Sequence, residues 1–288
     1  GLSKVLDDLG VQDRVKLIAP GGQGSMYRQS SGKYARLTEM PAGQVDPNVL
    51  FDWLEVKEED RAGALQFFMD LTLMPPAEID QLHGISFDEW VKRYNPPRPL
   101  YAFIVSLCCD GMFMVPVDTL EAAEAIKSLQ DMFLRNGGIF CLGGFGEVAE
   151  AYCEGVRKHG GTVLMRARTE KILVENGKAA GVVTSQGTFQ APVVISNAGI
   201  QPTVLKLVGE EHFDKGYVDY VKKLVPSLSL LGYRYFLKKR VLDVPYGVIF
   251  SCDTPWSGQR FEQARAGKAS REGVVYYEVP SEYDPNAA

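Results

Sequence analysis

The sequence predicts an α+β fold, in which helices flank a mixed or antiparallel sheet. Apolar residues recur at three- and four-residue steps in several stretches, most clearly in residues 120–134, and this spacing is typical of amphipathic helices. Alternating apolar and polar residues, which are typical of strands, are concentrated in residues 162–184 and 227–279. With 288 residues, 45% hydrophobic and 23% charged, the chain is long enough for a substantial core and one or two domains.

The N-terminal region predicts a helix, a loop and a hairpin. Four apolar residues at positions 2–9 share one helical face, and Gly10 marks the end of that helix. The glycine-rich turn at residues 20–24 is not followed by Lys-Ser or Lys-Thr, so we interpret it as a loop and not as a phosphate cradle. Residues 27–37 then predict a short hairpin.

Two helices are predicted next. Residues 51–74 have a helical pattern with an acidic face, and Pro75-Pro76 ends it. Ser86 and Glu89 have the spacing of a capping box, which predicts that a further helix begins there.

Residues 100–117 form the most apolar run of the chain. Its length approaches that of a membrane span, but Asp110-Gly111 interrupts it and a proline lies near its end. The favoured interpretation is therefore a buried core helix followed by an irregular segment. The alternative is the wall of an apolar tunnel, in which Met112, Phe113 and Met114 would contact a long hydrocarbon, because methionine adapts to irregular apolar surfaces.

Residues 137–199 contain the most informative succession of elements. A short apolar run meets a glycine cluster, and a helical pattern follows up to Gly160-Gly161. Asn176-Gly177 predicts a tight hairpin, because both positions tolerate positive φ. The strand patterns here are residues 162–166, 170–174, 179–184 and 193–195. The last of them ends at four small residues, where a backbone can approach a ligand closely, namely Ser196, Asn197, Ala198 and Gly199.

The C-terminal region alternates helical and strand patterns. The predicted helices are residues 202–208, 217–224 and 256–270. The predicted strands are residues 227–237, 244–250 and 274–279. These strands are expected to contribute to a sheet.

A second interpretation of the glycine cluster remains open. Residues 144–149 fit the pattern G-x-G-x-x-A between a short strand and a helix, and Glu170 follows the next strand, as in a dinucleotide-binding fingerprint. The preceding strand is short for a buried parallel strand, and the meander that follows departs from a βαβαβ order. We therefore favour the interpretation without a separate nucleotide site.

The order of glycine pair, helix, "GGTV", "EKILVENGKAAGVVT" hairpin and "APVVISNAG" resembles the flavin-dependent desaturases of the phytoene desaturase and retinol saturase type, within the amine-oxidase-like flavoprotein superfamily. The resemblance implies that residues 1–20 and 138–200 belong to an incomplete, Rossmann-like FAD-binding domain. Residues 21–137 and 201–288 would then form the substrate-binding domain.

The same resemblance implies which residues contact the cofactor. Thr169 and the turn formed by Ser196, Asn197, Ala198 and Gly199 would lie close to FAD. The family usually has a bulky aliphatic residue where this chain has Thr169. No catalytic residue is assigned, because in such enzymes the flavin performs the redox chemistry and the protein mainly orients it.

The family's G-x-G-x-x-G fingerprint, which places pyrophosphate on a helix N-terminus, does not occur at the beginning of this sequence. The sequence is therefore expected to be the interior of a longer flavoprotein. A completing flavin-domain segment or a partner chain is the corresponding expected partner.

Composition argues against several other functions. A net charge of −5 and a pI near 5.4 disfavour a nucleic-acid surface. Three histidines make a His-rich metal site improbable, and five cysteines without regular spacing do not indicate a disulfide framework. No signal peptide is evident, so the expected location is cytoplasmic, with peripheral membrane contact left open.

The resulting prediction is an FAD-dependent oxidoreductase of the desaturase or saturase type, acting on C–C bonds of a hydrophobic, isoprenoid or carotenoid substrate. The alternative is a non-enzymatic module of the same superfamily that binds a hydrophobic ligand or a prenylated protein.

Overall fold

A computed structural model describes residues 2–19, 22, 24–37, 46–134, 139–227, 231–268 and 272–287. Its contacts group the chain into two compact units. The first, here the large unit, comprises Gly1–Tyr152 and Ser227–Ala288, and the second, the small unit, comprises Cys153–Pro226. The division into a cofactor domain and a substrate domain is a functional one and stays a prediction.

Helices make up most of the regular structure. The α-helices are α1 (Leu2–Asp8), α2 (Pro47–Trp53), α3 (Arg61–Leu73), α4 (Pro76–Ile79), α5 (Phe87–Lys92), α6 (Arg98–Val105), α7 (Ala122–Leu134), α8 (Gly146–Lys158), α9 (Ile200–Pro202), α10 (Lys215–Lys223) and α11 (Gly258–Arg265). The π-helices are Ser106–Phe113 and Thr203–Val208. Short 3-10 turns cover Gln12–Arg14, Glu58–Asp60, Asp80–Leu82, Glu210–His212 and Pro280–Glu282.

The strands form small sheets. They are β1 (Leu17–Ile18), β2 (Met26–Arg28), β3 (Tyr34–Arg36), β4 (Phe140–Cys141), β5 (Thr169–Glu175), β6 (Lys178–Thr184), β7 (Gly187–Gln190), β8 (Tyr246–Phe250) and β9 (Val275–Glu278). In the large unit the order is β3-β2-β8-β9, with β2 and β8 parallel and the other pairs antiparallel. Helices and a mixed sheet therefore confirm the predicted α+β class.

The core of the large unit is built on the buried face of this sheet. Tyr27 on β2 and Phe250 on β8 are paired in register, and their ring centroids are 5.3 Å apart. Trp53 of α2 packs edge-on against both rings and donates its indole N–H to the Ala35 carbonyl at 2.8 Å. Helix α2 is thereby fixed to the sheet by an aromatic cluster and a partly buried hydrogen bond.

The structure confirms several local predictions. Ser86 caps α5 by accepting a hydrogen bond from the backbone N–H of Glu89 at 3.1 Å, as the capping box predicts. In the small unit, Asn176 and Gly177 join β5 to β6 with φ values of 51° and 74°, and β7 completes an antiparallel sheet. The predicted helix over residues 51–74 is wrong as a single element, because Glu55 adopts φ 55° and separates α2 from α3.

The apolar run 100–117 forms α6 and then the π-helix Ser106–Phe113. The predicted core helix is confirmed, since Leu100, Ile104 and Val105 are fully buried. Among the described residues, none of the helices combines the length and the hydrophobicity needed to cross a bilayer.

Three strand predictions are wrong. Residues 162–166, 193–195 and 231–237 form no strand, and Ile195 is 93% exposed. Their apolar patterns are typical of strands, but a strand requires a neighbour that supplies backbone hydrogen bonds, and the described residues provide none for these segments. The predicted loop at residues 20–24, the boundary at residues 137–138 and residues 228–230 of the last strand lie wholly or partly outside the described residues.

Candidate functional site

The predicted cofactor turn lies in the small unit, between β7 and α9. The Ser196 hydroxyl is 2.7 Å from the Thr203 hydroxyl, and the backbone N–H of Ala198 donates to Ser196 Oγ at 3.4 Å. Gly199 adopts φ 87° and ψ 151°, a conformation that essentially only glycine adopts without strain. The backbone N–H of Thr203 donates to the Gly199 carbonyl at 3.0 Å. The small residues thus form a turn held by its own hydrogen bonds.

This turn is one wall of a pocket of about 370 Å³. Its lining residues are Ser196, Asn197, Gly199, Ile200, Thr203, Val204, Phe213 and Tyr217. The rings of Phe213 and Tyr217 are 5.7 Å apart between centroids and line the same pocket as the turn. The pocket is a largely open depression that combines aromatic surface with a hydroxyl and an amide.

The structure brings only part of the predicted cofactor set together. Ser196, Asn197 and Gly199 line the pocket, whereas Ala198 and Thr169 are not among its lining residues. Thr169 begins β5, is exposed and pairs with Thr184. Its strand packs against the π-helix Thr203–Val208, which carries other residues of the pocket. The five cofactor contacts stay predictions.

Sequence analysis missed the aromatic side of the pocket. Phe213 precedes α10, and Tyr217 lies in its first turn, where Asp214 caps the helix through the backbone N–H groups of Gly216 and Tyr217. The spacing of four residues between the two aromatics is a helical signal for a shared face and could have linked them. Their place in the same pocket as the 196–199 turn depends on tertiary packing.

The glycine cluster before α8 does not form a dinucleotide-binding motif. Gly143 and Gly144 have φ values of 81° and 85° and make a tight turn. The Gly143 N–H is bound by the carboxylate of Asp284 at 2.7 Å, and this hydrogen bond is the main cause of the lowered pKa of Asp284. Strand β4 pairs antiparallel with β1, whereas the fingerprint requires a parallel βαβ unit. The interpretation of residues 144–149 as a nucleotide site is therefore wrong.

The predicted substrate residues lie in the large unit, at the end of the π-helix. Met112 is exposed, and Phe113 and Met114 are half-buried. Met114 adopts φ 54° and ψ 44°, a left-handed conformation that is strained for a long side chain. π-Helical segments and strained backbone are both concentrated at functional sites. The segment Ser106–Met114 is accordingly a second candidate region, and its contact with a substrate stays a prediction.

A buried carboxyl group lies within this segment. Asp110 is only 8% exposed, and its Oδ2 atom has no hydrogen-bond partner among the described residues. Burial raises the pKa of Asp110 to about 7, although the positive charge of Arg260 and a hydrogen bond from Ser106 both act to lower it. Asp110 can therefore change its protonation near neutral pH.

The surroundings of Asp110 are held by polar contacts. Tyr276 donates its hydroxyl to the Ser106 carbonyl at 2.6 Å, and the Ser106 and Thr254 hydroxyls are 3.2 Å apart. Arg260 donates to the carbonyls of Asp253 and Thr254 and lies 5.1 Å from the centre of the Trp256 ring. An aspartate within the most apolar run of the sequence is a signal for this cluster, beyond its effect of interrupting the run.

The described residues offer little support for other chemistries. They contain no group of three or more His, Cys, Asp or Glu that could hold a metal ion. Burial raises the pKa of the Cys108 thiol to about 12, which leaves it protonated and unreactive at neutral pH. His83 contacts Glu121 at 3.0 Å on an exposed surface.

Comparison with known proteins then identifies the family. A family model described as "Flavin containing amine oxidoreductase" matches residues 2–229. The chain is 33% identical over 153 residues to a chloroplastic prolycopene isomerase of Arabidopsis thaliana, a match that covers 52% of this chain and 25% of the relative. It is 27% identical over 177 residues to an all-trans-retinol 13,14-reductase of Homo sapiens, covering 57% of this chain and 29% of the relative. The matches span about a quarter of these curated relatives.

Solved structures show a shared fold. An oxidoreductase from Methanosarcina mazei has a TM-score of 0.57 at 19% identity, with 92% of this chain and 61% of that chain covered. A Rab GDI from Plasmodium falciparum has a TM-score of 0.50 at 11% identity, with 96% of this chain and 64% of that chain covered. Proteins with such different names share the fold, so the fold alone does not decide the activity.

The family match covers well over half of the chain, and it agrees with the order of glycine turn, helix, hairpin and small-residue turn described above. It confirms the resemblance on which the sequence prediction relied, and it implies FAD as the cofactor. The chain belongs to the flavin-containing amine oxidoreductase family.

Proposed function

We propose that the protein is an FAD-dependent oxidoreductase that removes or adds hydrogen across C–C bonds of an isoprenoid or carotenoid substrate. The observation that carries the proposal is the pocket formed by the 196–199 turn, in a chain whose family is flavin-dependent. The substrate class is supported by relatives named for prolycopene, retinol and phytoene.

The residues of the pocket fit a portion of FAD. Its volume of about 370 Å³ is near the lower end of the range for ligand sites, so it suits part of a dinucleotide and not the whole. Gly199 has no Cβ and lets the backbone approach a ligand closely. The Ser196 hydroxyl and Asn197 amide can hydrogen-bond the polar edge of a planar group, and Tyr217 can contact its face. When bound, FAD supplies the redox chemistry, and this chain's residues only bind and orient the cofactor.

The Ser106–Met114 segment supports a hydrophobic substrate. Met112 is exposed beside the half-buried Phe113 and Met114, and flexible thioether side chains adapt to irregular apolar ligands. In this proposal the three side chains contact the hydrocarbon and exclude water from it.

Visible absorption of the purified chain during titration with FAD tests the cofactor proposal. A bound-flavin spectrum is expected, with weaker binding for Asn197→Ala and unchanged binding for Gln190→Ala, an exposed polar residue on β7. No spectral change at FAD concentrations well above physiological would contradict binding by this chain. Equal losses of FAD affinity in Asn197→Ala and Gln190→Ala would contradict the assignment of this pocket to FAD.

Binding of a long-chain isoprenoid tests the substrate proposal separately. Met112→Gln should weaken binding several-fold, because it places an amide against the hydrocarbon. Met69→Gln is a matched control, since Met69 is similarly exposed on α3. Isoprenoid binding without FAD binding would favour the alternative of a non-enzymatic hydrophobic-ligand or prenyl-protein module.

A further inference from the structure

We propose that residues 231–241 are a docking surface for anionic lipid membranes. This stretch, LGYRYFLKKRV, is here named the basic aromatic segment. It lies in the large unit and follows residues 2–229, which the family model matches.

The apolar side chains of the segment project into solvent. Phe236 is 90% exposed, and Tyr233 and Tyr235 are also largely exposed, although large aromatic side chains are usually buried. The ring centroids of Tyr233 and Tyr235 are 6.4 Å apart, which places both rings on one side of the chain. A contiguous exposed apolar stretch of this kind marks an interaction surface.

The charge of the segment is uniformly positive. Arg234, Lys238, Lys239 and Arg240 are all exposed, and no acidic residue occurs between residues 227 and 242. Arg240 forms an ion pair with Glu282. Within the described part of the chain, Arg234, Lys238 and Lys239 have no acidic partner. Three cations therefore remain available beside the aromatic side chains, in a protein whose net charge is −5.

Aromatic and basic side chains together fit an anionic lipid surface. Tyrosine and phenylalanine insert at the boundary between headgroups and acyl chains, and lysine and arginine place their stems along apolar surface while their charges meet the headgroups. Each basic residue near an anionic bilayer strengthens binding about fivefold. A second copy of this chain is disfavoured as the partner, because two such segments would bring like charges together.

Vesicle co-sedimentation of the full chain tests the proposal, without flavin or substrate. Phosphatidylcholine vesicles containing about a third phosphatidylglycerol should bind the chain, and pure phosphatidylcholine should bind it far less. Raising the salt concentration should weaken binding, because it screens exposed charges. The result is independent of the proposed function, which the flavin and isoprenoid titrations test.

Matched variants locate the surface. Lys238→Gln with Lys239→Gln should reduce partitioning about 30-fold, whereas Lys215→Gln with Lys223→Gln at the two ends of α10 should leave it nearly unchanged. Phe236→Ser should reduce partitioning about tenfold. The control Phe145→Ser removes a phenylalanine that is 71% exposed elsewhere in the large unit, and it should not produce this loss.

Three outcomes would overturn the proposal. They are absence of vesicle binding, equal binding to neutral and anionic vesicles, and equal losses in the segment variants and their controls. Sedimentation velocity adds a further check, because self-association abolished by Phe236→Ser would assign the segment to a protein interface. All four segment and control side chains in the lysine variants are exposed, so folding, followed by circular dichroism, should be unaffected.

Discussion

The two candidate regions differ in how their polar groups are satisfied. In the 196–199 turn, exposed residues satisfy one another locally through the Ser196 and Thr203 hydroxyls. In the Ser106–Met114 segment, Asp110 is buried with one oxygen unpartnered among the described residues. An exposed turn whose polar groups are hydrogen-bonded lowers the stability of the folded state little, whereas a buried carboxyl group lowers it strongly when it is charged. The difference predicts that the two regions respond differently to substitution and pH.

The largest expected effect is the pH dependence caused by Asp110. Its pKa is about 7 in the folded protein against an ordinary value of 3.8, so the folded state binds more protons between these values. Proton binding by Asp110 stabilises the folded state fully below about pH 4, and this stabilisation is lost as the pH rises through 7. The loss in the free energy of unfolding is roughly 4 kcal/mol at most. Asp110→Asn should remove this loss, so its stability relative to wild type should rise between pH 4 and pH 8.

Chemical denaturation at several pH values measures this effect. The matched control is Asp219→Asn, at an exposed position on α10. Parallel pH profiles for wild type and Asp110→Asn would show that Asp110 has an ordinary pKa and would remove the contrast between the two regions.

Gly199→Ala should have the second largest effect. The alanine Cβ would meet no close atom, the nearest being Pro202 Cδ at 3.6 Å, so the cost comes from the backbone conformation. About 1–3 kcal/mol of local destabilisation is expected. Hydrogen exchange at the Thr203 amide, which donates to the Gly199 carbonyl, should become faster. Unchanged exchange would mean that the turn adopts another conformation.

Gly111→Ala tests steric tightness in the other region. A Cβ at Gly111 would lie 2.6 Å from the Tyr276 hydroxyl, which must then move from the Ser106 carbonyl. We expect a loss of about 1–2 kcal/mol. Gly63→Ala on α3 has no atom within 4 Å and should instead raise the free energy of unfolding by about 0.5–1 kcal/mol. If Gly111→Ala and Gly63→Ala changed the free energy of unfolding in the same direction, the packing described for the π-helix would be contradicted.

Ser196→Ala should have the smallest effect. It removes the hydrogen bond to Thr203 from an exposed turn, where water can replace the lost partner, so about 0.5 kcal/mol or less is expected. Thermal unfolding should show it. A loss as large as that of Gly199→Ala would mean that this hydroxyl, and not the glycine conformation, holds the turn.

The sequence was most informative where structure depends on near neighbours. Ser86 and Glu89 predicted a cap, and Asn176-Gly177 predicted a hairpin, because the required atoms lie within a few residues. It was least informative for residues 193–195 and 231–237, whose strand patterns were clear but which lack a pairing neighbour among the described residues. Of the pocket, the small-residue turn could be predicted, but Phe213 and Tyr217 could not.

The sequence by itself determined the α+β class, the local turns and caps and, through the order of its motifs, the flavoprotein family. Only the tertiary structure decided that Asp110 is buried beside Arg260, that Tyr217 lines the same pocket as the 196–199 turn and that the aromatic residues of the basic aromatic segment remain exposed. Periodicity describes how a residue relates to its own helix or strand. Burial, pKa and exposure depend on which distant segment packs against it, and a single sequence does not specify that contact.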